Sequence, residues 1–528
     1  MWVLSAGALF QALLRWRSFN ILYDHVISLA IAVNYHENGR LTLINASAAN
    51  LALRSYETNT HWPPAMSVVL AFLISVFRDA LIAAVVSDML GLALLYSALG
   101  LLVKRLSPAL PTAATVCMAV TLGFSGPPIL AWFTNVWALG LYLWGILLLL
   151  PTPTGRFPSK GRCAVAGILL GLTFAFRYAY LPAALMPVLV IGWTERSSVV
   201  GRGRFSFALM GLSIGLLPMA VWHFLHPGGG GAATGWYFGN LLRFYSFLID
   251  AFFGIRLSNL YPSSHFYFRS SVDPLLYGVR LLSSLCLLSA ALVGARQLIR
   301  RSPDAAHRAL WKQFFLLGGA AGMGTVALLV YLAVRTPADV ALSGWVYVEE
   351  PRYFMVFLPF LLVAMASLAF SPVTGLLQRT LQLLSRAGFG VAVLVWGTSL
   401  PSELGAIGRG HWIPSVETCL VDEKGLAAVI RDIRRLGEVN AFVEIGERNI
   451  NSLLRKAVVN CFGVAHIVLG ADQPIQTSAD VNVIAFLDPA SSAAAAAAFE
   501  RFCRENEAQR FAYGDRQLCR ATLWAGGS

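Results

Sequence analysis

The chain has 528 residues, of which 57% are hydrophobic and only 13% charged. Soluble domains carry about 25% charged residues, so the composition excludes a wholly soluble protein and indicates a polytopic membrane protein. The formal net charge of +13 does not point to nucleic acid. Its basic residues fall in short loops between apolar stretches, where positive-inside bias accounts for them.

The chain opens MWVLSAGALFQALLRW, an apolar stretch over 2–15. It has neither a basic n-region nor a small-residue cleavage site, so it is expected to be retained as a first span rather than cleaved. Its apolar part, Trp2 to Leu14, is short against the ~20 residues a crossing helix needs. A polar, strand-poor connection follows from Tyr23 to Pro64. Asp24 and His25 stand near its start, with a helix expected from Val26, and Thr60-His61-Trp62-Pro63-Pro64 closes it. Further apolar stretches lie at 62–78, 80–103, 109–127, 131–151, 163–178, 181–194, 204–226, 275–297, 312–335, 352–371 and 384–400.

Basic residues set the topology. Lys104 and Arg105, Arg156 to Arg162, Arg196 to Arg204, Arg296 to Lys312, and Arg379 with Arg386 form five basic loops. All five share one side only if 62–78 lies as a juxtamembrane helix and 80–103 is the second crossing. Eleven crossings result, with the N-terminus in the cytoplasm and the C-terminal tail outside. Arg15 and Arg17, at the outer end of the first span, run against this count. The first loop (18–79) and the segment 227–274 then face outward. The latter opens with the hinge Gly228 to Gly231 and continues GWYFGNLLRFYSFLIDAFFG, which reads as an interfacial segment or an aromatic belt.

From about residue 401 the composition becomes that of a soluble domain. Lys424 to Leu436 is predicted helical, AFVEIG (441–446) a strand, Arg448 to Val458 a helix, and VNVIAFLD (481–488) a strand. An Ala-rich helix over 490–504 and two short strands within 509–524 complete an α/β pattern. Cys419, Cys461, Cys503 and Cys519 lie in this tail without C-x-x-C spacing, so disulfides are open to them outside the cell and a metal site is not expected. The fold class is therefore an all-α polytopic membrane domain over 1–400 with an extracytoplasmic α/β domain over 401–528.

Four stretches resemble the integral-membrane C-type (GT-C) glycosyltransferases, such as the bacterial aminoarabinose transferases and protein mannosyltransferases. LYDHVISLAIAVNYHENG is similar to the family's first-loop pattern of an Asp followed by an amphipathic helix ending in Gly. THWPPAMSVVLAF resembles the aromatic-Pro-Pro segment that returns this loop to the membrane. GILLGLTFAFRYAYLP matches a Gly-rich span ending in Arg, and EEPRYFMVFLPFLL the Arg-Tyr that opens a late span. The resemblance covers roughly residues 1 to 400 and implies a multi-pass protein of the plasma membrane, in bacteria the inner membrane. It implies a polyprenyl-phosphate sugar as donor and a glycan, lipid or protein as acceptor, with no cofactor. One departure stands out. Many members carry a second acidic residue before the span that here is 131–151, where this chain has Asn135. An amide hydrogen-bonds a sugar or hydroxyl but neither binds a cation nor takes a proton as a carboxylate does, which argues against a divalent metal.

Sugar transfer from a lipid phosphate needs a base for the acceptor hydroxyl and cationic help for the departing phosphate. Asp24 is the candidate base; the competing reading is an interfacial Asp capping a helix. Arg352 beside Tyr353, and Arg177 flanked by Tyr178 and Tyr180, offer planar forks to phosphate oxygens. Snorkelling to the interface is the alternative for both. His61 and Trp62 are candidates to line the sugar pocket, with Asn135 as a further polar contact. Glu37 and Glu57 read as solvated loop charges, and Asp88, inside a span, is expected to face the protein interior. The competing functions are a lipid or sugar transporter or flippase, against which stands the absence of an internal repeat, and a transfer-inactive scaffold.

Overall fold

The computed structural model describes residues 2–17, 23–47, 49–58, 63–106, 110–124, 133–152, 154–226, 274–302, 304–335, 356, 358–370, 372, 375–409, 426, 430, 437–446, 450–471, 473, 477–487, 492–513 and 516–524. In chain order it begins with α1 (Trp2–Arg17), α2 (Tyr23–Asn38), β1 (Leu43–Ser47), β2 (Asn50–Glu57), α3 (Ala65–Phe77) and α4 (Ala80–Leu106). The middle holds α5 (Thr112–Phe124), α6 (Phe133–Leu149), α7 (Lys160–Phe176), α8 (Leu181–Glu195) and α9 (Val199–Leu225). It continues through α10 (Pro274–Arg301), α11 (Ala305–Arg335), α12 (Leu358–Phe370) and α13 (Leu376–Arg409). The tail holds β3 (Ala441–Ile445), α14 (Ile450–Asn460), β4 (Ala465–Leu469), β5 (Val481–Leu487), α15 (Ala493–Glu505), β6 (Gln509–Tyr513) and β7 (Arg516–Leu523). Each apolar stretch of the sequence corresponds to one helix.

The chain divides into two compact units. One comprises Met1–Leu14 with Asp88–Arg409, the other Arg15–Ser87 with Gly410–Ser528. The first loop thus groups with the C-terminal tail, and a single boundary near residue 400 does not describe the division. The reading of that loop as strand-poor is also corrected, because it supplies β1 and β2.

The helical unit is built on close contact between helix backbones. Ala208, Gly211 and Gly215 of α9 face Ala164, Gly167 and Gly171 of α7. A Cβ at Gly211 would land on the carbonyl oxygen of Ala164, and one at Gly215 on that of Ile168. Small residues at such spacing allow dispersion contacts between backbones that larger side chains would block. The opposite face of α9 presents Phe207, Met210, Ile214, Leu217, Val221 and Phe224, all exposed. An outward apolar stripe on a helix of 27 residues, about 40 Å long, suits a hydrocarbon surround. Among the described residues, α4 and α9 have both the length and the apolar composition of a membrane span. The count of eleven crossings rests on the sequence alone.

Helix ends follow local chemistry. Ser159 and Ser198 cap α7 and α9 by accepting from the backbone N–H of Arg162 and Gly201. Arg105, in the last turn of α4, donates to the carbonyls of Leu147 (2.9 Å), Leu150 (2.8 Å) and Pro151 at the end of α6. A cation there complements unpaired carbonyls and the negative end of the helix dipole. This gives Arg105 a structural role beyond topology.

The second unit is centred on a seven-stranded sheet of order β2-β1-β4-β3-β5-β7-β6. The four central strands β1, β4, β3 and β5 run parallel, with β2 and the β7–β6 pair antiparallel at the edges. Alternate side chains of β3, β4 and β5 point to opposite faces. Val443, Ile445, Ala465, Leu469, Val483 and Ala485 form one apolar face with Phe499, Phe502 and Cys503 of α15. A disulfide, Cys503–Cys519, ties that helix to β7. Cys461 is a free, half-buried cysteine, and burial pushes its thiol up to about 12. Cys419 lies outside the described residues.

The first loop is held to the tail by side chains as well as by strand pairing. Asn460, the last residue of α14, accepts from the Ile44 N–H (2.7 Å) and donates to the Ile44 carbonyl (3.1 Å). Helix α2 is buried nearly all round, from His25 to Asn34. It ends at Gly39, whose φ of 68° is the left-handed conformation glycine adopts without steric cost. Asn34 then donates to both the carbonyl and the hydroxyl of Thr42 at 2.8 Å, fixing the approach to β1.

Helix α3 ends with Arg78 in the left-handed region (φ 58°). Asp79 immediately caps α4, accepting from the N–H groups of Leu81 and Ile82 at 2.8 Å. The break falls where the charge count separated 62–78 from 80–103. At 13 residues, α3 is about 20 Å long, short of the ~30 Å hydrocarbon core.

Candidate functional site

Two of the predicted site residues lie in the helical unit. Arg177 is the C-cap of α7, where its backbone turns extended, and its side chain is buried. Asn135, in the first turn of α6, is fully buried. Neither its Oδ1 nor its Nδ2 finds a hydrogen-bond partner among the described residues. An unsatisfied buried amide costs about 1–3 kcal/mol, so this side chain has hydrogen-bonding capacity to offer a partner.

These two residues share one end of the bundle. Trp137, one turn into α6, stacks on Phe176, the residue before Arg177, with ring centres 5.5 Å apart. A Cβ at Gly91 of α4 would meet Trp137 at 3.0 Å, which brings in the turn of α4 that carries Asp88. Asp88 is fully buried, as expected for an intramembrane carboxylate facing the protein interior. The turns that carry Asp88, Asn135 and Arg177 thus lie at a common level of α4, α6 and α7.

Asp24 lies in the other unit, in the first turn of α2. That helix begins at Tyr23 rather than Val26, so Asp24 is inside it and not its cap. His25 beside it is fully buried. Arg352, Tyr353, His61 and Trp62 lie outside the described residues. So does the segment 227–274 as far as residue 273.

The sheet unit contains a polar centre that sequence reasoning missed. Glu444 of β3, 1% exposed, accepts from Ser452 (2.9 Å), Arg455 (2.5 Å) and His466 (3.2 Å). Arg455 also lies over the Phe486 ring at 5.1 Å, and His466 stacks on Phe442 at 5.8 Å. Register explains the grouping, since Phe442 pairs with His466 and Glu444 with Phe486 on the face toward α14. Burial alone would raise the Glu444 carboxyl, but hydrogen bonds and charge from His466 and Arg455 outweigh it and hold the group below its ordinary value. Burial pulls His466 down, and the Glu444 carboxylate only partly offsets this, so its imidazole is neutral at pH 7. The signal was present in AFVEIG, where a charged residue interrupts a strand too apolar to be exposed.

Above this centre opens a cavity of about 510 Å³. Ser47, Gly446 and Gly470, at or just beyond the carboxyl ends of β1, β3 and β4, form its upper wall. Ser452, Lys456 and His466 form its floor, and Asn45, Ser55 and Glu57 its side. Glu57, expected to be a solvated loop charge, accepts from Lys456 at 2.5 Å and from Asn45 at 3.1 Å. Lys456 is almost wholly buried, while Glu57 remains half open to solvent. Among the described residues, no three His, Cys, Asp or Glu side chains converge to hold a metal ion.

No family model matches the chain, and no curated protein matches it by sequence. Among solved structures it is similar to apo ArnT from Cupriavidus metallidurans, with a TM-score of 0.53 and 11% identity, over 99% of this chain and 98% of that one. The same protein bound to undecaprenyl phosphate gives a TM-score of 0.49 at 12% identity, over 99% and 98%. The Archaeoglobus fulgidus oligosaccharyltransferase with Zn and sulfate gives 0.44 at 12% identity, over 88% of this chain and 62% of that one. The chain therefore shares the fold of ArnT.

Proposed function

We propose that this protein is a membrane glycosyltransferase moving a sugar from a polyprenyl-phosphate donor to an acceptor hydroxyl on the extracytoplasmic face, with inversion at the anomeric carbon. The observation that carries this reading is the end-to-end likeness to ArnT, which takes in helical unit and sheet alike. Fold is an analogy for function, so the residues must bear the chemistry. Asp24 is the base in this reading. It takes the proton of the acceptor hydroxyl as that oxygen attacks the anomeric carbon from the face opposite the phosphate, and polyprenyl phosphate departs with the bonding electrons. Arg352, next to Tyr353, and Arg177 hold the phosphate oxygens as their negative charge grows. His61 and Trp62 flank the sugar, and Asn135 meets a hydroxyl. The disulfide in the tail supports an oxidising, extracytoplasmic setting for that part of the chain.

The test is transfer by the purified full-length protein, given undecaprenyl phosphate charged with each of a panel of sugars, with release of undecaprenyl phosphate as the readout. Asp24→Asn is expected to lose about 10²–10⁴-fold in rate with folding intact, the usual worth of a positioned base. A variant that transfers at the parental rate refutes the assignment. Asn135, buried in place of a carboxylate, favours a second reading as a transfer-inactive binder of the same lipid. Binding of a charged lipid without turnover by the parent protein would select it.

A further inference from the structure

We infer that the cavity on the sheet unit is a saccharide-binding site, built for a neutral, hydroxyl-rich ring rather than for an anion or a cation. Its role as a dock for the glycan part of an acceptor rests on the transferase reading; the binding itself does not.

Location is the first argument. The cavity opens beyond the carboxyl ends of β3 and β4, the region where open α/β sheets take their ligands. Glycines stand at both strand ends, Gly446 and Gly470, so a ligand can approach the backbone closely there. At about 510 Å³ the cavity falls within the ~300–1,000 Å³ of small-molecule sites.

Charge is the second argument. Among the described residues, the lining carries one carboxylate, Glu57, and one ammonium, Lys456, bonded to each other at 2.5 Å. His466 is held neutral by burial. Beneath the floor the Glu444 carboxylate is matched by Arg455. An anion entering here would meet a lysine already neutralised, and a cation would meet a carboxylate already neutralised. Neither would recover its desolvation cost.

Hydrogen-bonding chemistry points the same way. Ser47 and Ser55 both donate and accept, Ser452, whose proton goes to Glu444, accepts, Asn45 offers an amide, and the Glu57–Lys456 pair presents an acceptor beside a donor. Vicinal ring hydroxyls, each donor and acceptor at once, match such a mixed lining. The lining is also fixed in advance: Ser452 is anchored to Glu444 and Asn45 to Glu57. Among the described lining residues there is no Phe, Tyr or Trp to stack on a sugar face, so binding rests on hydrogen bonds. A single ring is therefore expected to bind at about 1 mM, worth some 4 kcal/mol.

The experiment is saturation-transfer NMR on the full-length protein in nanodiscs, with glucose, N-acetylglucosamine, mannose and xylose as probes and inorganic phosphate followed separately by its own resonance. Ser55 sits exposed on β2 with its side chain on the cavity side, so Ser55→Trp fills the cavity without entering a core. Arg54→Trp puts the same bulk on the opposite face of the strand. The inference expects saturation transfer to the ring protons of at least one sugar, lost in Ser55→Trp and kept in Arg54→Trp, with both variants unfolding at the parental temperature. No transfer to any sugar overturns it, as does equal transfer in Ser55→Trp. Phosphate broadening abolished by Ser55→Trp, with no sugar signal, also overturns it by making this an anion site. The readout needs no turnover. Sugar binding by a protein that transfers nothing would sink the transferase reading and leave the site standing, and transfer without sugar binding here would do the reverse.

Discussion

Replacing Arg455 by Met tests whether the polar centre holds the sheet unit together. Arg455 and Glu444 are each 1% exposed at the side chain, bonded at 2.5 Å, so Arg455→Met leaves a carboxylate buried with only Ser452 and His466 for support. Removing one partner of a buried pair costs about 3–5 kcal/mol, to which the lost stack on Phe486 adds roughly 0.5–2 kcal/mol. Unfolding of membrane proteins is often irreversible, so the measurement is hydrogen exchange of the full-length protein, read on peptides covering β3 and β4. Together these come to about 3.5–7 kcal/mol, and at about 1.4 kcal/mol per tenfold exchange there is expected to quicken by roughly 300-fold to 10⁵-fold. Helix α9, in the other unit, should be unaffected. The double variant Glu444→Gln with Arg455→Met removes the stranded charge and should recover at least about 1 kcal/mol relative to the sum of the single costs. If Arg455→Met costs under about 1 kcal/mol, or if the double variant is merely additive, the account of a mutually dependent buried centre is wrong.

Two further predictions concern the same unit. His466 sits below its ordinary value of 6.5 and Glu444 below 4.5. In both cases the unfolded chain binds the proton first, so stability falls as pH drops: below about 6.5 through His466, then below about 4.5 through Glu444. Opening free energies of β3 and β4, read by hydrogen exchange from pH 8 to pH 5 with the intrinsic rate divided out, should decline by at most about 1.4 kcal/mol per pH unit, and His466→Gln should flatten this limb; a flat parental profile would refute the coupling. The Cys503–Cys519 bridge closes a loop of separation 16, worth about 3 kcal/mol. Cys503→Ala with Cys519→Ala should speed exchange in α15 and β7, reductant should do the same to the parent and nothing more to the variant, and unchanged exchange would show the bridge to be idle.

The helices were legible in the sequence because long apolar runs declare themselves by continuous apolarity. Twelve stretches were read and twelve helices formed, including the break at Arg78 and Asp79 that separates α3 from α4. The C-terminal α/β pattern was legible in AFVEIG and VNVIAFLD for the same reason, since buried parallel strands read as short apolar runs. β1 and β2 were not. LINAS and NLALRSYE mix polar and apolar residues without clear alternation, and their strand state depends on pairing with each other and with β4. β4, AHIVL, was missed because five residues between a helix and a loop carry too little signal. Pairing across some four hundred residues leaves no local trace. For the candidate site, residue types were readable and surroundings were not. Glu57 read as a solvated charge until Lys456 and Asn45 came to meet it.

This pairing changes what the tail does for Asp24. Helix α2, which carries it, is buried nearly all round, so it cannot hold its place as a lone amphipathic segment on a membrane surface. Its burial comes from α3 on one side and α14 on another. α14 in turn is fixed by Asn460 on β1 and by Ser452 and Arg455 on Glu444. The backbone position of Asp24 is therefore set by residues more than four hundred positions further along the chain. A general base must be held in place to be worth its rate, and a loop alone would not hold it. On the proposed function, the C-terminal sheet is the support of the catalytic helix, and the buried charge pair at its centre is the part of that support most costly to break.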